Sequence, residues 1–353
     1  MIRNDLASVI ERFRALYASR DPRTLVQVRG IAEYEKDLPR RPLNSWDFDH
    51  DLAAYLDFRA GNQITYWERR KTLCDDLLPT LAPWYGIAEH TAFLGGNVDF
   101  SATTSYHHPI MDDISEQDKL RLDEENVWLH RVTDGIAYYR EHYGDRFIPR
   151  LRGADGPSDI ANIVRGNDLF YDVYDEPDEV KSLLSFCADA MRFTLEKQRE
   201  AAGSFMGGFV SGFEIWLPGN AIGHISEDAS CMMSYDMYEE LFLPALKKAV
   251  AGYDNVMLHT HSLGAKMLPL FAQVPEISVI ELSSDPNAPR AVSIWREYEE
   301  VLRDKIVVVA PSREELPAIA DLLSRNRAVV WYEAETRKEA EEAVAFVRNL
   351  SHT

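Results

Sequence analysis

Apolar positions along this chain follow two periods. In the C-terminal part, short apolar runs at 256–258, 277–282, 306–310 and 328–332 alternate with stretches at helical spacing, 265–273, 292–302, 314–323 and 338–350. The first set reads as buried strands and the second as the helices that follow them. Toward the N-terminus, Leu6, Val9, Ile10, Phe13 and Leu16 predict an amphipathic helix over 5–18, and 25–30 a first strand ending at Gly30. Helical spacing returns over 51–58, 64–78, 116–142 and 178–202, the last stopping at Gly203. Segments 92–96, 147–151 and 209–216 read as further strands, and 235–251 as a helix.

The sum is about eight strands, each followed by a helix, which forces parallel pairing and suggests a closed ring. An open doubly wound sheet is the competitor, but no GxGxxG follows the first strand. The expected fold is therefore α/β, a single (β/α)8 barrel domain over 1–353. Its proline-broken, aromatic-rich stretches 35–65 and 97–115 are expected to extend over the barrel mouth.

A net charge of -20 argues against nucleic acid or an anionic membrane as partner. The first residues lack the apolar core of a signal peptide and no apolar run is long enough to span a bilayer. Three scattered cysteines make no disulfide framework. These features place the expected protein in the cytoplasm, with a small molecule as its partner and its oligomeric state open.

In a barrel, chemistry belongs at the C-terminal ends of the strands. The residues there are Arg29, Arg152 with Asp155, Glu214, His259 with His261, Glu281 with Asp285, and Glu333 with Glu335. Residues two apart on a strand share a face, so His259 and His261 suit a ligand pair, provided the bend at Thr260 does not swing His261 outward. Glu227 and Asp228, in a polar loop, are placed for a general base or for helix capping. Trp216 and Tyr332 are placed to line a pocket or to pack, and Tyr106-His107-His108 to reach the mouth.

Two longer stretches carry a resemblance. Gly156-Pro157-Ser158-Asp159-Ile160-Ala161 through Gly166, followed by Glu176-Pro177-Asp178-Glu179-Val180, is similar to a motif pair of the uroporphyrinogen decarboxylase superfamily. Met233-Ser234 with Tyr238 to Pro244, and Leu258-His259-Thr260-His261-Ser262-Leu263-Gly264, fall where that superfamily has a helix start and a histidine motif. It joins a haem-pathway decarboxylase to zinc-dependent methyltransferases that act on corrinoid or thiol carriers. The decarboxylase's basic N-terminal segment survives here only as Arg29, and its glycine-rich C-terminal histidine loop is replaced by residues 330–336.

The resemblance implies metal-assisted methyl transfer from a small methylated substrate to a corrinoid or pterin acceptor, with a corrinoid protein as a candidate partner. Zinc would be held by His259, His261 and a carboxylate, Glu333 by its position or else Glu281 or Glu214. His259, Glu214, Asp228 and Asp76 are the expected catalytic residues. Arg29, Arg152, Trp216 and Tyr332 are the expected substrate contacts. The alternatives are metal-free decarboxylation of a small acid clamped by Arg29 or Arg152, and a barrel that binds a ligand without catalysis.

Overall fold

The structure is a computed structural model and describes residues 2–350. Its main strands are β1 (Arg23–Ile31), β2 (Thr80–Leu81), β3 (Ile148–Pro149), β4 (Ala154–Asp155), β5 (Ala221–Ser226), β6 (Asn255–His261), β7 (Ile277–Ser283), β8 (Ile306–Val309) and β9 (Arg327–Ala334). A seven-stranded parallel sheet runs in the order β1, β9, β8, β7, β6, β5, β4, and β2 pairs with β3 in a separate parallel ladder. The fold is thus α/β and TIM-like, and the backbone ladder does not close.

The ring is interrupted on both sides of the β2–β3 ladder, and one of the two openings lies between β1 and the segment leading into β2. Here two aspartates take the place of strand pairing. The Asp76 amide donates to the Val26 carbonyl at 2.6 Å, while the Val26 and Val28 amides donate to the carboxylates of Asp76 and Asp75 at 2.9 and 2.8 Å. Buried amides need acceptors, and side chains supply them where the neighbouring strand is only two residues long.

Strand parity sorts the core into two layers. Val256, Leu258, Ile280, Val307 and Val330 point outward against the helices. Leu25, Ala221, Met257, Val279, Val308 and Val329 point inward, and helix α1 (Leu6–Ala18) packs Val9, Ile10 and Phe13 onto the same cluster. Several of these inward residues open their strands, so α1 covers the N-terminal end of the ring. The other end is left for His259 and His261, which share a face with Met257.

Several elements differ from the pattern reading. Residues 209–216 are not a ring strand: Gly208–Val210 and Trp216–Pro218 form an antiparallel hairpin, and the ring strand is β5, which begins five residues after Trp216. The alternation of apolar residues is common to both, so periodicity alone could not separate them. The helix expected from 116 begins at Val127, where the Asn126 side chain accepts the Trp128 amide. Residues 92–94 form a 3-10 turn rather than a strand. The helix around 235–250 holds one wide turn, Tyr238–Phe242, just before Pro244, whose missing N–H breaks the regular ladder.

Candidate metal centre

The hairpin's turn, residues 211–215, lies inside the ring. Phe213 stacks on His224 with ring centroids 3.8 Å apart and meets His259 and Trp331 edge to face at 5.2 and 5.3 Å. Gln27 donates to the Glu214 carbonyl at 2.9 Å. Above this plug β6 ends in His259-Thr260-His261. The bend at Thr260 does not separate the imidazoles: their centroids are 4.8 Å apart.

Each imidazole is oriented by a carboxylate from the next strand or the loop after it. His259 pairs across the ladder with Glu281, and its Nδ1 is hydrogen-bonded to Glu281 Oε2. His261 Nδ1 is 2.8 Å from Asp285 Oδ1, and Asp285 is itself fixed by the Leu263 amide at 2.9 Å. With Nδ1–H donated to a carboxylate, the lone pair of each ring sits on Nε2. Both Nε2 atoms face Asp228, at 3.8 Å from Oδ1 and 3.8 Å from Oδ2.

Asp228 opens the turn after β5. The Asp159 carboxylate, on the helix Pro157–Arg165, accepts the Asp228 and Ala229 amides at 3.0 and 2.6 Å and so fixes that turn. Gly156 stands just before this helix because a Cβ there would collide with Glu227 Oε1 and the Ser226 carbonyl. This packing requirement goes beyond turn chemistry.

Ligand atoms of Asp228, His259 and His261 all lie within 4.8 Å of one another. Two bonds of about 2.1 Å span about 4.2 Å, so an ion fits the 3.8 Å separations as they stand, and a small inward movement closes the widest gap. Asp228 Oδ1 is buried and has no hydrogen-bond partner. An orphaned carboxylate oxygen facing two imidazole lone pairs is the donor set of a divalent cation. Burial raises the Asp228 carboxyl above the usual range, with His259 and His261 opposing. Burial works to lower His259, yet Glu281 and then Asp228 and Asp155 outweigh it and raise that imidazole.

The centre opens into a cavity of about 490 Å³ walled by Trp84, Ile87, Tyr106, Ile163 and Phe213, with Arg152, Asp155 and Asp159 as further polar lining. Burial and then the Asp228 charge push Asp155 up to about 8. Arg152 reaches the wall, but its Nε is hydrogen-bonded to the buried Glu89 and its guanidinium lies over Trp84 at 4.7 Å. Its charge is already answered. From the segment 97–115, Tyr106 and His107 line the cavity, His107 with its Nδ1 hydrogen-bonded to Thr91, while His108 is paired with Asp99.

The other expected site residues lie elsewhere. Glu333 is exposed and sits beside Gly30 and Glu35, and Asp228 is the carboxylate that could complete a metal set with the two histidines. Glu214 is paired with Arg29 at 3.2 Å on the far side of Phe213. Asp76 is fully buried in the seam with Arg12 at 2.6 Å and Arg348 at 2.8 Å, and it does not line the cavity. Trp216 packs against α1 in the N-terminal cluster and donates to the Phe205 carbonyl at 2.9 Å. Tyr332 points outward, its hydroxyl donating to Glu339 at 2.8 Å. Asp159 did not stand out in the sequence. Its only signal is its place four residues after Asp155, one helical turn into the Gly-Pro helix.

Among the described residues, no helix is long and apolar enough to cross a membrane. No protein-family model matches the chain, and no curated protein matches it in sequence. Among solved structures it is similar to a methyltransferase from Methanosarcina mazei, with a TM-score of 0.62 over 99% of each chain at 14% identity. At that identity the likeness is one of fold.

Proposed function

We propose that this chain is a metal-dependent enzyme that removes a methyl group from a small methylated substrate. The observation that carries the reading is the convergence of His259 Nε2, His261 Nε2 and the orphaned Asp228 carboxylate, with both Nδ1 atoms tied to carboxylates. The shared fold with a methyltransferase supports the choice of reaction. Zinc or a similar divalent ion, when bound by these three side chains, would supply Lewis acidity toward the heteroatom that bears the methyl group. The apolar walls, Trp84, Ile87, Tyr106 and Phe213, hold the methylated end and exclude water. As the carbon–heteroatom bond breaks, the methyl group passes to the acceptor and the heteroatom keeps the electron pair and takes a proton. Asp155, inside the ring at the cavity wall, is the side chain placed to supply it.

We further propose that the acceptor is a corrinoid or pterin, brought by a partner protein if it is a corrinoid. Met232 and Leu263, each a few residues from a ligand, are exposed and offer that partner an apolar rim. Metal-free decarboxylation finds less support, because Arg152 is matched by Glu89, and Arg29 is paired with Glu214 and lines a different cavity from the one at the histidines.

The test begins with metal. Protein purified without chelator should hold close to one divalent ion per chain by mass spectrometry of the metal, and so should E333Q. Variants H259A, H261A and D228N should not. Retention by these three, or failure of the wild type to take up zinc, would remove the reading. Turnover is then measured spectroscopically as methylation of reduced cobalamin by methylated thiols, amines and alcohols. A metal-loaded protein that methylates no acceptor from any of them would favour a binding role.

A further inference from the structure

A second cavity, of about 330 Å³, lies beyond the Phe213-Glu214 turn between β1 and the helix Leu52–Arg70. Arg29, Arg59, Thr80 and Glu214 all line it. The Glu214 carboxylate is 3.2 Å from Arg29 Nε and 4.0 Å from Arg150 Nε, so one anion serves two guanidiniums. Arg59 makes no ion pair among the described residues; the Tyr55 hydroxyl and the charge of the buried Glu89 are what support it. At the rim Glu35 and Arg40 offset each other. The pocket therefore sets Arg29 and Arg59 beside one carboxylate that Arg150, behind the lining, also draws on, in a chain whose net charge is -20.

The crowding has a physical signature. Burial, and then like charge from Arg152, Arg29 and Arg59, push Arg150 down to about 9 in spite of Glu214. A second signature is polar. The Thr80 hydroxyl has no hydrogen-bond partner although the residue is only 6% exposed. A buried hydroxyl without a partner costs free energy unless something answers it, and guanidiniums that share one carboxylate keep N–H donors for a further acceptor. A cavity of this size sits at the small end of ligand sites.

We infer that this pocket binds a small organic oxyanion, a carboxylate or a phosphate. The Arg59 and Arg29 forks grip its oxygens and the Thr80 hydroxyl donates to one of them. Glu214 is the internal carboxylate that the ligand displaces from Arg29. None of the metal ligands lines this pocket, and the inference does not depend on the metal or on methyl transfer.

Isothermal titration with inorganic phosphate and with succinate tests it, on the wild type, R59M, T80V, E214Q and the metal-centre variant H261A, each checked for native circular dichroism. At least one probe binds the wild type and H261A alike. R59M weakens that binding by about tenfold or more, the loss of a charge-assisted hydrogen bond. T80V weakens it less, and E214Q strengthens it by removing the competitor. Phosphate alone, or succinate alone, assigns the class of oxyanion. The inference is overturned if neither probe binds, if R59M and T80V both bind as the wild type does, if E214Q weakens binding, or if H261A alone abolishes it. If R59M does not fold, T80V and E214Q still decide.

Discussion

Replacing Asp76 by Ala separates a structural from a catalytic reading of that residue. Its carboxylate is fully buried and accepts from the Val26 amide, Arg12 and Arg348. Truncation leaves the buried Val26 N–H without its acceptor, which costs roughly 1–3 kcal/mol. The two arginine side chains are 30% and 26% exposed. Water screens them, so each lost pair adds only about 0.5–1 kcal/mol. The sum is roughly 2–5 kcal/mol, a large part of a stability that ordinarily lies at about 5–15 kcal/mol.

Asp75 faces the harder case. Its partners Arg70 and Arg3 have side chains 0% and 4% exposed, and stranding such a buried partner costs about 3–5 kcal/mol before the Val28 amide is counted. D75A should therefore unfold at clearly lower urea than D76A, or fail to accumulate folded. The assay is urea unfolding followed by circular dichroism and tryptophan fluorescence, with metal content measured on the folded fraction. D76A should keep its metal and lose stability. A wild-type midpoint for D76A together with lost turnover would return Asp76 to the chemistry, and equal midpoints for D75A and D76A would refute the desolvation argument.

Other consequences are simpler to state. E281A and D285A should each hold metal about 10–100-fold more weakly than the wild type in competition with a chelating dye, because each removes the acceptor that orients an imidazole; unchanged affinity would mean that the rings are held by packing alone. G156A should be destabilised by roughly 1–3 kcal/mol in the same urea assay, since one of the two atoms its Cβ meets is backbone and cannot swing away; a neutral result would mean that the turn shifts freely. His90 gives a pH dependence. Burial and then the Arg152 charge push it down from 6.5 to about 3, so the folded state holds it neutral while the unfolded chain protonates below 6.5. Its contribution is complete above pH 6.5 and is lost as the pH falls toward 3, at up to about 1.4 kcal/mol per unit. H90Q should show a correspondingly shallower fall in urea midpoint between pH 6.5 and 5, and parallel profiles would contradict the assignment.

What the sequence reveals depends on how the backbone is satisfied. From residue 255 onward the strands β6 to β9 are four to eight residues long and nearly all buried, and apolar runs of that length announce themselves. On the other side of the ring, β2, β3 and β4 are two residues each. Beside β2 the amides of Val26 and Val28 in β1 are held by Asp76 and Asp75, and no hydrophobic period can show that. The same limit applies at the centre. The spacing of His259 and His261 is visible in sequence because it is local. Their carboxylate partners follow from the parallel register of β6 with β7, which places Glu281 beside His259. Asp228 as third ligand depends on a turn fixed from another helix by Asp159, and a position after the last strand could only suggest Glu333.

The hairpin at 208–218 shows why that kind of misreading falls near a site. A ring strand must alternate inward and outward to build a core, and this hairpin alternates too, but it folds back and sends its tip into the bore. The tip spends its two central side chains on opposite sides. Phe213 gives the metal cavity an aromatic wall against His224 and His259, while Glu214, held at a φ of 64° that few side chains adopt, turns its carboxylate to Arg29. A regular strand would point residues 213 and 214 to opposite faces of the sheet, so one of them would leave the interior altogether. With the turn, both remain inside. Arg29 and Arg150 are kept from the apolar cavity by an aromatic ring, and His259 and His261 keep the carboxylates of Glu281 and Asp285 to themselves. Replacing Glu214 by Gly would relieve the strained backbone and at the same time remove the anion between Arg29 and Arg150, so the two effects act on stability in opposite directions.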